Sequence, residues 1–133
     1  MESKKVFVIS ALRTPIGSFR GALSKIPACE LGASVIKFML SKEHVNPNEV
    51  DEVIIGQVLT AGCGQNPARQ TAIAAGISKY SSAFTINKVC GSGLKAIQLG
   101  YHAIRNGDAD LVIAGGQENM SLAPHISPIR GTV

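Results

Sequence analysis

Four short apolar runs constrain this chain most: Val6 to Leu12, Val53 to Leu59, Phe84 to Val89 and Leu111 to Ala114. Val and Ile dominate them, and they lack the clean alternation of a sheet with one wet face. Such runs suit strands covered on both faces, as in a parallel sheet. The segments between them carry helical signals. Leu31, Val35, Phe38 and Met39 recur at i, i+4, i+7 and i+8, which is one helix face. Asn66-Pro67 predicts a second helix, with Asn as N-cap and Pro at the first position, ending near Gly76. A third carries Leu94, Ile97, Tyr101 and Ile104 on one face and stops at Asn106-Gly107. Asn46-Pro47 opens a further short turn. The order β-α-β-α-β-α-β predicts an α/β fold, an open and mostly parallel sheet with helices on both faces and right-handed crossovers. No internal repeat is visible. From Met120 to Val133 there are two prolines, a His and no periodicity, so residues 120–133 read as the start of a loop region and 1–119 as the packed part.

Composition narrows what such a sheet can serve. Of 133 residues, 45% are apolar and 17% charged, values that exclude a disordered chain. Aromatic residues reach only 5%, with no Trp, so the core must be aliphatic. One domain of this length buries roughly two thirds of its unfolded surface, enough for a single core. The net charge of +4 is spread among acidic residues, with Lys4-Lys5 the only adjacent basic pair. No basic stripe interleaved with aromatics is present to stack on bases, so nucleic acid is not expected as a partner. A modest positive field could still steer an anionic small molecule. Cys29, Cys63 and Cys90 form neither a disulfide framework nor a zinc-ligand pattern. The opening MESKKVFVISALR reads as a first strand rather than a signal peptide. No apolar run is long enough to span a membrane. A reducing cytoplasm is the expected compartment.

In an open α/β sheet, ligands sit beyond the carboxyl ends of the strands. Three Gly-rich turns fall there: Ala61 to Gln65, Cys90 to Gly93, and Gly115 to Glu118. In the middle one, Cys90 directly follows an apolar run and directly precedes a helix. A thiol on such a turn lies near free amide N–H groups and the positive end of a helix dipole, a setting that favours the nucleophilic thiolate. The same N–H groups could stabilise an oxyanion on an acyl carbon. The competing structural reading makes Cys90 a small buried hydrophobe at a strand end. Cys29, at a helix start, and Cys63, in a Gly-rich loop, are weaker candidates.

A second functional reading uses the same glycines. Gly91-x-Gly93-x-x-Ala96 matches a dinucleotide fingerprint between strand and helix, with Glu118 as the acid of the following strand. The fingerprint sits on the third β-α unit rather than the first, which weakens an NAD-binding module. Acid–base residues are few. His102 lies about three turns along its helix, roughly 18 Å from the start, too far to pair with Cys90. His44 falls in a polar connection and His125 in the terminal segment.

Arg13-Thr14-Pro15-Ile16-Gly17-Ser18-Phe19 with Gly21, then Gly62-x-Gly64-Gln65-Asn66-Pro67-Ala68-Arg69-Gln70, resemble thiolases. So do Asn87-Lys88-Val89-Cys90-Gly91-Ser92-Gly93 and Ala114-Gly115-Gly116-x-Glu118-x-Met120-Ser121, in the same order; Ala123-Pro124-His125 fits the biosynthetic acetyl-CoA acetyltransferases. Gln117 and Asn119 depart from the Met and Ser of that family's G-G-M-E-S-M-S, and the sequence assigns Gln117 no role.

The resemblance implies a thiolase-like fold and a thioester exchange that joins two acetyl-CoA into acetoacetyl-CoA and CoA, or the reverse. It implies that Cys90 is the nucleophile that carries the acetyl group, with its N–H as one oxyanion donor. The CoA thioester is substrate, so no cofactor and no metal are implied. Dimers or tetramers are the implied assembly. Thiolases are several-fold longer, and their activating histidine, second cysteine and most CoA contacts match nothing here. The chain on its own is therefore expected to be incomplete as an enzyme, without sustained turnover. Its Leu111 to Ala114 run is expected to form an unpaired edge. An inactive fragment that only associates with other subunits is the remaining alternative.

Overall fold

The computed structural model describes residues 4–130. Three parallel strands, β1 (Glu52–Gly56), β2 (Ser82–Ile86) and β3 (Val112–Gly116), form one sheet in the order β2-β1-β3. Register pairs Ile54 with Phe84 on one side and with Ala114 on the other. The helices are α1 (Ala28–Lys42), α2 (Pro67–Ala74) and α3 (Ser92–Asn106), with short 3-10 turns at Pro47–Glu49 and Met120–Leu122. Val53, Ile55 and Ile113 cluster with Ala33, Ile36 and Leu40 of α1 and with Ala68 and Ala72 of α2. Alternation of side chains along a strand turns the intervening residues to the opposite face. There Gly100 of α3 packs on Val112 and Ala114. Helices thus cover both faces, as the sequence predicts.

The punctuation expected of the helices is present. Asn66 adopts φ 45°, and its side chain accepts from the N–H of Arg69 at the start of α2. Asn46 accepts from Asn48 N–H at the Pro47 turn. Gly107, at φ 85°, closes α3, where its N–H donates to Ile104 O and that of Asp108 donates to Ala103 O.

Three expectations are corrected. The run Val6 to Leu12 is not a strand: it has no ladder partner among the described residues, and Phe7, Val8 and Ile9 are 75%, 80% and 61% exposed. Apolar composition reports a preference for burial, but a strand also needs a neighbour for its backbone groups. The run is anchored instead by side chains, Lys4 to Asp110 at 2.8 Å and Ser10 Oγ to Glu43 at 2.9 Å. The apolar faces of α1 and α3 are also rotated from those predicted. Small residues lie nearest the sheet on α3, with Ala96 and Gly100 buried, while Leu94, Ile97 and Tyr101 face outward. On α1, Ala33, Ile36 and Leu40 are buried and Phe38 is exposed. Close helix-to-sheet approach favours the small side of a helix over its bulkiest stripe. The run expected at Phe84 to Val89 pairs two residues earlier, because Asn87 and Lys88 already belong to the turn before α3.

Candidate active site

The carboxyl ends of β1 and β3 meet the start of α3 almost without side chains between them. A Cβ on Gly56 would lie 2.4 Å from the carbonyl carbon of Ser92, and one on Gly116 would lie 3.2 Å from Gly93 Cα. These three glycines therefore seat the helix start directly on the strand ends. Above them opens a cleft of about 460 Å³, walled by Val58, Leu59, Val89 and Met120, with Cys90 at its rim.

Cys90 is exposed and reduced, one residue before the N-cap Gly91 of α3. Val89, before it, has φ 51°. A β-branched residue in that region is strained, by about 1–3 kcal/mol. Hydrogen bonds hold it there. The Val89 N–H donates to Asn87 Oδ1 at 2.8 Å; Ser92 Oγ accepts from Lys88 N–H at 2.8 Å and donates to Val89 O at 2.6 Å. The amides beside the thiol are not free as the sequence predicts: Gly91 N–H donates to Lys88 O and Ser92 N–H to Val89 O. Those bonds complete the turn rather than wait for a ligand.

The dinucleotide reading loses its parts in this arrangement. Gly93 faces the backbone of Gly116, so its lack of a side chain serves packing and not the approach of a pyrophosphate. Glu118 accepts from Val58 N–H at 2.8 Å with one oxygen and from Leu59 N–H at 3.1 Å with the other. Its carboxylate is committed to fixing the loop after β1, not to a ribose. His44, His102 and His125 are exposed, and the ring of His102 rests against Tyr101 on α3. Cys29 is half-buried at the first turn of α1. Cys63 is half-buried in its loop, its Sγ 3.4 Å from Gln57 Nε2.

Gln117, given no role by the sequence, is buried where it adjoins the cleft. Its Nε2 donates to Gln57 Oε1 at 2.9 Å, and its Oε1 lies 2.8 Å from the hydroxyl of Thr71. A polar residue directly after an apolar strand and two glycines was the available signal. Asn119 lies with its Nδ2 2.7 Å from Ile26 O and its Oδ1 accepting from Ser121 N–H at 2.9 Å, tying the loop before α1 to the segment after β3.

The family model for the thiolase N-terminal domain matches residues 6–132. The chain belongs to the thiolases. An acetyl-CoA acetyltransferase of Cupriavidus necator is 63% identical over 123 residues, 92% of this chain and 31% of that protein. The cytosolic acetyl-CoA acetyltransferase of Rattus norvegicus is 53% identical over 131 residues, 98% of this chain and 33% of its own. A thiolase of Ascaris suum solved in complex with coenzyme A superposes with a TM-score of 0.88 at 46% identity, over 92% of this chain and 32% of that one. This thiolase N-terminal domain thus spans about a third of the length of the relatives it matches. Among its described residues no helix is long and apolar enough to cross a membrane, and no three His, Cys, Asp or Glu side chains are grouped to hold a metal ion.

Proposed function

We propose that the protein carrying this domain is an acetyl-CoA C-acetyltransferase whose acyl carrier is Cys90. One observation carries the reading: an exposed cysteine on a strained turn at the rim of a cleft, at the start of α3. In the first half-reaction the Cys90 thiolate attacks the thioester carbonyl of acetyl-CoA. The Cys90 N–H is the donor assigned to the oxyanion, the carbon–sulfur bond to CoA breaks, and CoA leaves as a thiolate that takes up a proton. In the second, the deprotonated methyl carbon of another acetyl-CoA attacks acetyl-Cys90. A carbon–carbon bond forms, the Cys90 thiolate leaves, and the product is acetoacetyl-CoA. The reverse sequence cleaves acetoacetyl-CoA with CoA.

The names of the relatives and the coenzyme A complex of the structural neighbour support this substrate class. The proton-transfer groups of both steps belong, in this reading, to parts of the protein outside these 133 residues. A CoA thioester as substrate leaves no need for a bound cofactor. A cytosolic location agrees with the rat and mouse relatives. Assembly as a homo-oligomer, and residues 120–133 as the start of a loop region that follows a packed 1–119, are parts of the same proposal.

The test is acid-quenched incubation of the protein with acetyl-CoA, followed by peptide mass mapping. The mass increment of one acetyl group on the Cys90 peptide, lost in Cys90→Ala, is the expected result. Acetylation confined to Cys29 or Cys63, or none at any cysteine, overturns the assignment.

A further inference from the structure

The turn before α3 contains more hydrogen bonding than a strand-to-helix connection requires. Ser92 is the first residue of α3, 5% exposed, and its hydroxyl does not cap its own helix. It reaches back to bracket Val89, accepting from the N–H before it and donating to its carbonyl. Asn87 accepts from the N–H of Val89 itself, and its Nδ2 lies 3.4 Å from Val58 O on the neighbouring loop. Together these groups fix both peptide units that flank Val89, the residue whose φ of 51° an unrestrained valine would leave. The direction of the Cα–Cβ bond of Cys90 depends on that dihedral. Were Val89 to relax, Cys90 would swing away from the helix start while the glycine packing below stayed in place.

We propose that Ser92, together with Asn87, is a positioning residue for Cys90, holding Val89 in the left-handed region so that the thiol stands in the field of the α3 N-terminus at the rim of the cleft. The inference rests on the reading of Cys90 as the acyl carrier, and its consequence is a division of labour. Gly56, Gly93 and Gly116 set where the helix begins, and Ser92 and Asn87 set which way the thiol points.

The experiment compares alkylation of Cys90 by iodoacetate and by iodoacetamide in the intact protein, resolved by peptide mapping, with Cys29 and Cys63 as internal references. A thiol at a helix N-terminus favours the anionic reagent. In Ser92→Ala and in Asn87→Ala the iodoacetate-to-iodoacetamide rate ratio at Cys90 is expected to fall about twofold to fivefold, the size of a helix-terminus interaction, while Cys29 and Cys63 keep theirs. Asn87→Ser, whose hydroxyl can still accept from the Val89 N–H without adding charge, is expected to keep a ratio above that of Asn87→Ala. An unchanged ratio at Cys90 in both alanine variants overturns the proposal. So does an equal rise in alkylation at all three cysteines in both variants, which marks a merely structural role. Asn87 is exposed, so Asn87→Ala and Asn87→Ser remain informative if Ser92→Ala fails to fold. The readout is independent of acetyl transfer: absence of acetyl-Cys90 defeats the proposed function, whereas an unchanged ratio defeats only the positioning role.

Discussion

Glu118 and Asp51 each use a carboxylate to hold backbone amides of a neighbouring segment. Because Glu118 accepts from two N–H groups with two different oxygens, Glu118→Gln would aim an amide donor at one of them. A destabilisation of about 1–3 kcal/mol is expected, read from urea unfolding. Asp51 receives the N–H groups of Asp110 and Leu111 on a single oxygen, and these bonds hold its pKa below the ordinary 3.8. A depressed carboxyl pKa stabilises the fold at pH above 3.8 and loses that contribution as pH falls through the folded value. Urea unfolding between about pH 6 and about pH 2 is therefore expected to show parent and Asp51→Asn converging towards the acid end, Asp51→Asn being the flatter of the two. Of the individual positions, the place of Cys90 on a turn between a strand and a helix is legible in the sequence, because a strand, a cysteine and glycines adjoin one another. The side-chain hydrogen bonds around the cleft are not. Gln117, Asn87 and Ser92 act through partners at distances of 60, 2 and 4 residues, and nothing in the residue type announces which partner is met.

The helices are legible from local chemistry. Caps and stops such as Asn66-Pro67 and Asn106-Gly107 depend on a few adjacent residues, so they survive any tertiary context. The buried faces of the helices are not, because periodicity finds the bulkiest stripe, while the sheet selects Ala96 and Gly100. The conformation of Val6 to Leu12 is not legible locally, because strand formation is a property of pairs. The contact between α3 and the sheet gives a direct test. Gly56→Ala places a methyl 2.4 Å from the Ser92 carbonyl carbon, where only backbone is available to move. A loss of about 3 kcal/mol or more is expected in thermal unfolding, at the upper end for overpacking, whereas Gly115→Ala, with nothing within 4 Å of the added carbon, should cost far less.

Among the described residues the domain exposes much apolar surface: Phe7, Val8 and Ile9 in the N-terminal run, Leu94 and Ile97 on α3, and β3 at a sheet edge with β1 as its one partner. The 133-residue chain produced alone is expected to self-associate with rising concentration, seen as a concentration-dependent mass in sedimentation. A monodisperse monomer with a cooperative, reversible melt would contradict this. The parallel order β2-β1-β3 also fixes a timetable. β1 lies at the centre, yet its pairing with β3 spans a separation such as the 60 residues between Val58 and Glu118. A nascent chain leaving the ribosome has β1, β2 and the cysteine in hand well before the strand that completes the seat of α3 has emerged. Long-range parallel pairing is slow to form. The glycine seat of α3, which needs Gly116 as well as Gly56 and Gly93, is thus complete only after most of the domain has been synthesised.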